Sequence, residues 1–486
     1  MPATTLTVTN AVLLTMARGQ REPLRGWMTV GDDGRITGIG AGQPPADDAG
    51  AAAGATREGG AVGVAGGAVG VAGGAVLDVA GAFVAPGFVS AHSHLFTSAS
   101  RGLGLDQSLY GWIVAMTRHT GVARPDDLYW FTLHGALDFL NNGITTAYDF
   151  TSNRLDFAAV SEGLGGFGGV LKPPEVAEVQ LTAKVDAGVR FINSVSLDQA
   201  VGTPSEALDR LEAVVSFAQR YRDHPGMLGM ALSGAVQWAE SESTAALEVE
   251  AMRRFGLINQ PHFLETPFEL DHQRARFAWY RAAGALGPDL VFGHFVHATP
   301  AMIAEAAAAG CGMVWQPCSN GRLASGVADI PACRAAGMRV GVGLDDQACT
   351  DISDPWQNMR MGIYVLRAVT HDPASMAPAD MLELHTLGSA TVLGIDGAVG
   401  SLEVGKYADF VVVDPRRPDT GPVWDAYGTY VLACGLRNLR RVYVGGQLVS
   451  LDATIVHTDS EAVSDEVHRR MATLAGQAPG PVPGDG

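Results

Sequence analysis

The chain has 486 residues, 47% of them hydrophobic, a length that suits one large catalytic domain plus a smaller one. No uninterrupted apolar run is long enough to cross a bilayer, so a soluble globular protein with no membrane partner is expected. A formal net charge of −18 argues against nucleic-acid or anionic-membrane binding, which needs clustered Lys or Arg, and leaves a small molecule as the expected partner.

In chain order, Met1 to Asn10 lack the basic start and apolar core of a secretory signal. Five scattered cysteines form no Cys-x-x-Cys pair, which fits reduced thiols and a cytoplasmic location. Residues 6–14, 27–30 and 35–39 read as short strands separated by turns. Residues 46–74 are nearly all Ala, Gly and Val, and the block 59–65 recurs as 66–72. That period is too short and too glycine-rich for a solenoid unit, so a flexible surface loop without catalytic role is expected.

The turn signal Pro86-Gly87 opens an apolar run that ends His92-Ser93-His94-Leu95. Alternate residues of a strand share a face, so His92 and His94 point the same way and can bind one metal ion. From here strand-like and helix-like segments alternate, with strands ending near Leu95, Phe150, Leu197, Ala235, Phe263, His294, Gln316 and Asp345. Several of these ends carry a His or Asp, which is how a (β/α)8 barrel builds a site at its mouth. The expected fold is therefore α/β, with a (β/α)8 TIM barrel over residues 85–399. Its clearest helices are 204–222, 242–255, 270–286 and 300–309, the first opened by a capping-box pair, Thr203 and Glu206.

Residues 161–174 include Gly163-x-Gly165-x-x-Gly168, a dinucleotide fingerprint by letters alone, since it neither follows a strand directly nor opens a helix. A mobile loop at the barrel mouth is the better reading. Pro317-Cys318 is not followed by the second cysteine of a cytidine-deaminase zinc site, because Asn320 and Gly321 stand there. After helical stretches at 355–369 and 379–393, β pattern returns in 400–414 and 441–449. Too few strands stand at either end for a stable sheet alone, so residues 1–84 and 400–460 are paired as one small β-sandwich domain. Residues 461–486 are read as a tail, frayed from Gly476 on.

Three stretches in this order carry a family resemblance: Pro86-Gly87-Phe88-Val89-Ser90-Ala91-His92-Ser93-His94, Gly143-Ile144-Thr145-Thr146-Ala147-Tyr148-Asp149 and Gly400-Ser401-Leu402-Glu403-Val404-Gly405-Lys406. Together they resemble the amidohydrolase superfamily, in the branch of guanine deaminase, adenosylhomocysteine-type deaminases and triazine hydrolases. The resemblance implies that His92, His94, His262 and Asp345 hold one divalent metal, zinc first, with iron or manganese also suited. Such a metal lowers the pKa of a bound water and supplies hydroxide. Glu265 resembles the proton shuttle of this branch, Asp345 would also take a proton from the water, and His294 resembles the histidine that bonds to the hydroxide or the substrate atom under attack.

No lysine ends the fourth strand near Met230 to Ala235, which disfavours a carbamate-bridged pair of metals. Gln260 stands where many relatives have a histidine that faces the pocket, so it bears on substrate identity. Phe96, Leu103, Trp112, Trp315, Gln316 and Trp356 are further pocket candidates, with aromatic faces to stack on a flat heterocycle and Gln237 or Gln316 to read its edge. His134, His297 and Cys318 are assigned to packing or hydrogen bonding. The expected reaction is hydrolytic deamination of a purine, pterin, pyrimidine or triazine. The alternatives are release of chloride, an alkylamine or a thiol, or cleavage of an amide, urea or carbamate, on the same scaffold. A non-catalytic binding protein would have no need to keep all five of His92, His94, His262, Glu265 and Asp345. Relatives commonly assemble as dimers or larger, so a homo-oligomer is expected.

Overall fold

The run that ends in His92 and His94 is a strand, Phe88–His94, buried along nearly its whole length. A strand covered on both faces has no solvent side, which is why it reads as a near-continuous apolar run. In this computed structural model, which describes residues 4–45, 74–161 and 164–477, it pairs in parallel with Ile144–Phe150 on one side and Asp345–Asp346 on the other. Beyond Ile144–Phe150 the same sheet continues through Arg190–Ser196, Met227–Ser233 and Ile258–Asn259. A second parallel sheet runs His262–Phe263, Val291–His294, Gly312–Trp315 and Arg339–Val342.

The two sheets adjoin where a strand is interrupted. Gln260-Pro261 separates Ile258–Asn259 from His262–Phe263, and Gly343-Leu344 separates Arg339–Val342 from Asp345–Asp346. Backbone bonds continue across both gaps: Gln260 N–H donates to the Leu232 carbonyl at 3.0 Å, Gly293 N–H to Pro261 at 2.8 Å and Gly343 N–H to Trp315 at 2.9 Å. Proline has no N–H to give a ladder, which accounts for the first interruption. At the second, a Cβ on Gly343 would stand 2.6 Å from the His92 Cβ, so only glycine lets the chain pass there.

Helices alternate with these strands, among them Pro125–Asn141, Glu175–Ala187, Pro204–Ala218, Ser243–Phe255 and Pro300–Ala308. The capping box forms as read: Thr203 N–H donates to Glu206 Oε2 at 2.7 Å, and Glu206 N–H to Thr203 Oγ1 at 3.3 Å. The helix expected over 270–286 is instead two short ones, Leu270–Ala275 and Phe277–Ala282, jointed at Arg276. No helix among the described residues is long and apolar enough to cross a membrane.

The chain's two ends share one nine-stranded sheet. Thr4–Leu13 pairs with Leu24–Gly31, which pairs with Ile36–Ala41, and Ala75–Asp78 also lies against Thr4–Leu13. Phe83–Pro86 joins Thr4–Leu13 to Phe410–Val413, after which come Leu439–Val444, Gln447–Leu451 and Thr454–Ile455. Leu6, Val8, Met28, Val30 and Phe410 belong to one buried cluster on this sheet. Residues 400–409, expected as strand, lead into it as a connection, and the repeat at 46–74 lies outside the described residues except for Gly74.

Two expectations are corrected here. The glycine-rich stretch is not a bare loop: Asp156–Ser161 and Leu164–Gly168 pair as an antiparallel hairpin. The stretch read as a tail is largely a helix, Ser460–Gln477, whose Val467 and Leu474 pack with Leu128, Phe131 and Val176. Arg470 of this helix pairs with Asp126 at 2.6 Å and Asp127 at 2.7 Å. Residues 478–486 lie outside the described residues.

Behind the site, buried Glu248 accepts from Ala235 N–H at 2.7 Å, Asn259 Nδ2 at 2.8 Å and Tyr280 OH at 3.1 Å, tying neighbouring strands together. Burial pushes its carboxyl up to about 7, against the pull of these bonds. A carboxyl raised on folding stabilises the fold below its unfolded pKa and loses that contribution as pH rises through about 7. Denaturant titration should therefore find a loss on the order of 3 kcal/mol between pH 4.5 and 8 that Glu248→Gln abolishes; an equal loss in the variant would assign it to other groups.

Candidate active site

The C-terminal ends of four strand segments bring His92, His94, His262, His294, Asp345 and Asp346 to one place. His262 Nε2 lies 3.2 Å from His92 Nε2 and 3.1 Å from His94 Nε2. Asp345 Oδ1 lies 3.4 Å from His92 Nε2 and 3.7 Å from His94 Nε2. A tetrahedral ion about 2.0 Å from each ligand holds its ligands about 3.3 Å apart, so these separations of 3.1–3.7 Å fit a shared divalent cation. His294 comes close as well, grouped with His92, His262 and Asp345, its Nε2 3.8 Å from Asp345 Oδ2 and 3.4 Å from Glu265 Oε2.

The electrostatics agree with that donor set. Burial, then the neighbouring imidazoles, hold His94 and His262 well below the ordinary histidine range, and burial takes His294 down to about 3. Neutral imidazoles are what a metal needs. Burial and the charge of Asp345 push Glu265 well above the carboxylate range. Burial alone would raise Asp345 as well, but the imidazoles of His294, His92 and His94 outweigh it and hold its carboxyl well below.

Two of the imidazoles, His92 and His294, are held from behind, and the backbone after His94 is anchored. Gln260 Oε1 accepts from His92 Nδ1 at 2.6 Å, while Gln260 Nε2 donates to the Ala91 carbonyl at 3.0 Å. A Cβ on Gly293 would meet the His92 ring at 3.0 Å, so glycine there lets the strand Val291–His294 lie against it. Leu95 N–H, directly after His94, donates to Asp149 Oδ1 at 2.8 Å. The other Asp149 oxygen pairs with Lys184 Nζ, which also donates to Asn193 at 2.6 Å, all three side chains being buried. His294 Nδ1 is 3.0 Å from Asn320 Nδ2. Leu264, His294, Phe295 and Asp345 take positive φ of 55°, 66°, 52° and 66°. Backbone strain of roughly 1–3 kcal/mol per residue is thus gathered where strands turn their last side chains into the site.

The site is the inner end of a cavity with about 970 Å³ of free space, counting its open mouth. His94, His262, Glu265, His294, Asp345 and Asp346 line its floor, and Phe96, Trp112, Phe150, Phe167 and Trp238 give aromatic wall. Of the expected pocket residues, Phe96 and Trp112 therefore line the cavity. The other four are corrected: Gln260 lies behind His92, and Gln237 accepts from Leu264 N–H at 3.1 Å. Trp315 packs outward against Gly362 of the helix Pro355–Thr370, and Gln316 is buried just ahead of the helix Pro317–Arg322. Leu103 and Trp356 are also off the lining, Trp356 Nε1 donating to the Tyr430 carbonyl at 2.9 Å. His134 and His297 bond to Ser98 and the Ser325 carbonyl, the structural parts assigned to them. Sequence reasoning missed Asp346, signalled only by the Asp345-Asp346 doublet, and Trp238 and Asn320, for which the sequence carries no signal.

A model of the amidohydrolase family matches residues 83–449. The chain belongs to the amidohydrolase family. The 5-methylthioadenosine/S-adenosylhomocysteine deaminase of Desulforudis audaxviator is 27% identical over 405 residues, covering 82% of this chain and 88% of that protein. The enzyme of the same name from Halobacterium salinarum is 28% identical over 409 residues, covering 83% and 89%. Among solved structures, a zinc-bound adenosine deaminase from Xanthomonas campestris superposes with a TM-score of 0.79 at 21% identity, over 98% of this chain and all of that one. Atrazine chlorohydrolase from Arthrobacter aurescens, complexed with zinc, gives 0.76 at 20% identity, over 96% and 100%. At these identities the structural likeness is one of fold. Family membership makes the chain a hydrolase acting on carbon–nitrogen bonds, with a mixed α/β fold of the amidohydrolase type.

The Asp149–Lys184 pair gives a test of how the site is supported. Removing one partner of a buried pair strands a charge and costs about 3–5 kcal/mol, whereas replacing both is far milder. Lys184→Met and Asp149→Asn should each destabilise by that amount, and the double variant by clearly less than the sum, in denaturant titration. Additive losses would show that the pair acts as two independent residues.

Proposed function

We propose that this enzyme is a hydrolytic deaminase of an amino-substituted nitrogen heterocycle, working with one divalent ion, zinc, held by His92, His94, His262 and Asp345. The observation that carries the reading is the approach of His262 and Asp345 to both His92 and His94, at 3.1–3.7 Å, at the inner end of an aromatic-walled cavity. The names of the relatives put an adenine nucleoside first among the rings to test. The fold belongs to the same proposal. The parallel strand segments, continuous across their two interruptions, are read as the eight strands of a closed (β/α)8 barrel over residues 85–399. Residues 1–84 and 400–460 are read as a β domain whose sheet folds over the cluster of Leu6, Val8 and Phe410.

Bound zinc would supply a Lewis acid and a water acidic enough to react near neutral pH. The residues supply the rest. Asp345, facing that position, takes the proton that water gives up as its oxygen adds to the amino-bearing ring carbon. Glu265, 3.4 Å from His294 Nε2 on the cavity floor, carries a proton to the ring nitrogen and a later one to the departing amine, so that ammonia leaves. His294 bonds to the oxygen that is added. The aromatic wall stacks on the ring and keeps bulk water out.

Gln260, buried behind His92, is off the cavity lining, which removes the sequence-based reason for weighing the alternative hydrolyses against deamination. Among the described residues lining the cavity, Lys172 is the one Lys or Arg, and it is paired with Asp156 at 2.8 Å. An arm bearing phosphate finds no free cation there, so neutral arms are favoured.

The test combines metal analysis with an ammonia-release screen over aminated purines, pterins, pyrimidines and triazines. About one zinc per chain and ammonia from one ring class, lost in His92→Ala, is the expected result. Metal without ammonia from any ring would replace deamination with the alternative hydrolyses, and absence of metal would sink the mechanism. On the ring class that reacts, Glu265→Gln should keep zinc while lowering kcat by about 10²–10⁴. A 5′-phosphate on an otherwise accepted nucleoside should raise KM by about 100-fold; equal KM values would refute the charge argument.

A further inference from the structure

We propose that two buried amides fix opposite tautomers in two neighbouring histidines, Gln260 making His92 a metal ligand and Asn320 making His294 a proton-bearing donor. The inference rests on the metal reading above and goes beyond it. Four side chains, His92, His262, His294 and Asp345, lie close enough to hold one ion, and something must decide which histidine stays off it.

For His92 the decision lies in Gln260. Its amide has one orientation open to it, since Nε2 faces the Ala91 carbonyl at 3.0 Å and only a donor can stand there. Oε1 is thereby turned to His92 Nδ1 at 2.6 Å and must accept a proton from it. A neutral imidazole carries one proton, so Nε2 of His92 is left with its lone pair. That lone pair faces His262 Nε2 at 3.2 Å and Asp345 Oδ1 at 3.4 Å, an arrangement of electron pairs that a cation between them would stabilise.

For His294 the polarity is reversed. Asn320 Nδ2 stands 3.0 Å from Nδ1, and with the amide in this orientation it donates, which puts the ring proton on Nε2. A second contact supports the same tautomer: Nε2 faces Glu265 Oε2 at 3.4 Å and Asp345 Oδ2 at 3.8 Å. An N–H there points at the ionised Asp345 carboxylate, which would repel a lone pair, and at an oxygen of Glu265 that can accept from it. Nε2 is buried and has no hydrogen-bond partner among the described residues, so its proton is available to whatever oxygen enters the site. His294 thus serves the reacting oxygen and not the ion. Gln260 and Asn320 are positioning residues, since neither lines the cavity.

The decisive measurement is on the wild-type protein with ¹⁵N-labelled histidine, with and without zinc, using two-bond nitrogen-to-carbon-proton correlations that distinguish the tautomers. The expected result is His92 protonated on Nδ1 and His294 on Nε2 in both states, each signal assigned by its His→Gln variant. A proton on His294 Nδ1, or a zinc-induced shift of its Nε2 like that of His92, would overturn the proposal. Zinc affinity by chelator competition supplies a second arm. Gln260→Leu should weaken zinc by about 10–100-fold, with Gln260→Glu restoring most of it. Asn320→Leu should leave zinc affinity within a few-fold and lower kcat by about 100-fold with little change in KM. Equal zinc loss in the two leucine variants overturns the proposal. A wild-type protein that binds no zinc refutes the metal reading instead, and the ring protons of the metal-free protein still decide this one.

Discussion

Everything in this molecule answers to one electrostatic demand, the gathering of three carboxylates and four imidazoles in a place where water is scarce. Asp345, Asp346 and Glu265 are each buried, beside His92, His94, His262 and His294. Removing such groups from water is expensive unless they are paired, bonded or bound to a cation. The surroundings show how the cost is contained. Amides clamp two rings, glycines at 293 and 343 let backbone close against His92, and the Asp149–Lys184 pair anchors the turn after His94. The left-handed residues at the strand ends are part of the same outlay, because ordinary extended backbone would carry His294 and Asp345 past the point of convergence.

The parallel strands make that convergence possible by ending on one side. Two of them are interrupted just before their functional residue, at Gln260-Pro261 ahead of His262 and at Gly343-Leu344 ahead of Asp345. An interruption frees the last residues from strict alternation, so their side chains can be aimed individually. The family match spans this region and reaches into both terminal β segments, which accords with a chain whose site and supporting sheet are one construction.

Much of this was legible in the sequence, and the reasons differ by residue. Strand ends at His94, Phe150, Phe263 and His294 were readable because buried parallel strands are apolar runs that stop at a functional side chain. Gln260 departs from the expectation carried over from relatives with a pocket-facing histidine there, because Pro261 breaks the strand and leaves Gln260 behind His92. Trp315 and Gln316 failed because nothing in a short strand tells inward from outward when both faces are covered. The hairpin at residues 156–168 was hidden by glycine, which pairs in sheets without showing strand propensity. In the last helix, Val463, Val467 and Leu474 had helical spacing, but the Pro-Gly tail beyond them dominated the reading. Asn320 left no trace, since a single amide on a six-residue helix has no pattern.

The terminal sheet carries a consequence for biogenesis. Phe83–Pro86 sits between Thr4–Leu13, made at the start of synthesis, and Phe410–Val413, made near its end. Until residues 410–413 leave the ribosome, that apolar strand exposes an unpaired row of backbone donors and acceptors, the template on which chains add to one another. Closing a connection this long is slow and entropically costly. The nascent chain is therefore most vulnerable to aggregation while its catalytic half is already largely made, and a C-terminal truncation would forfeit solubility before it touched a single residue of the site.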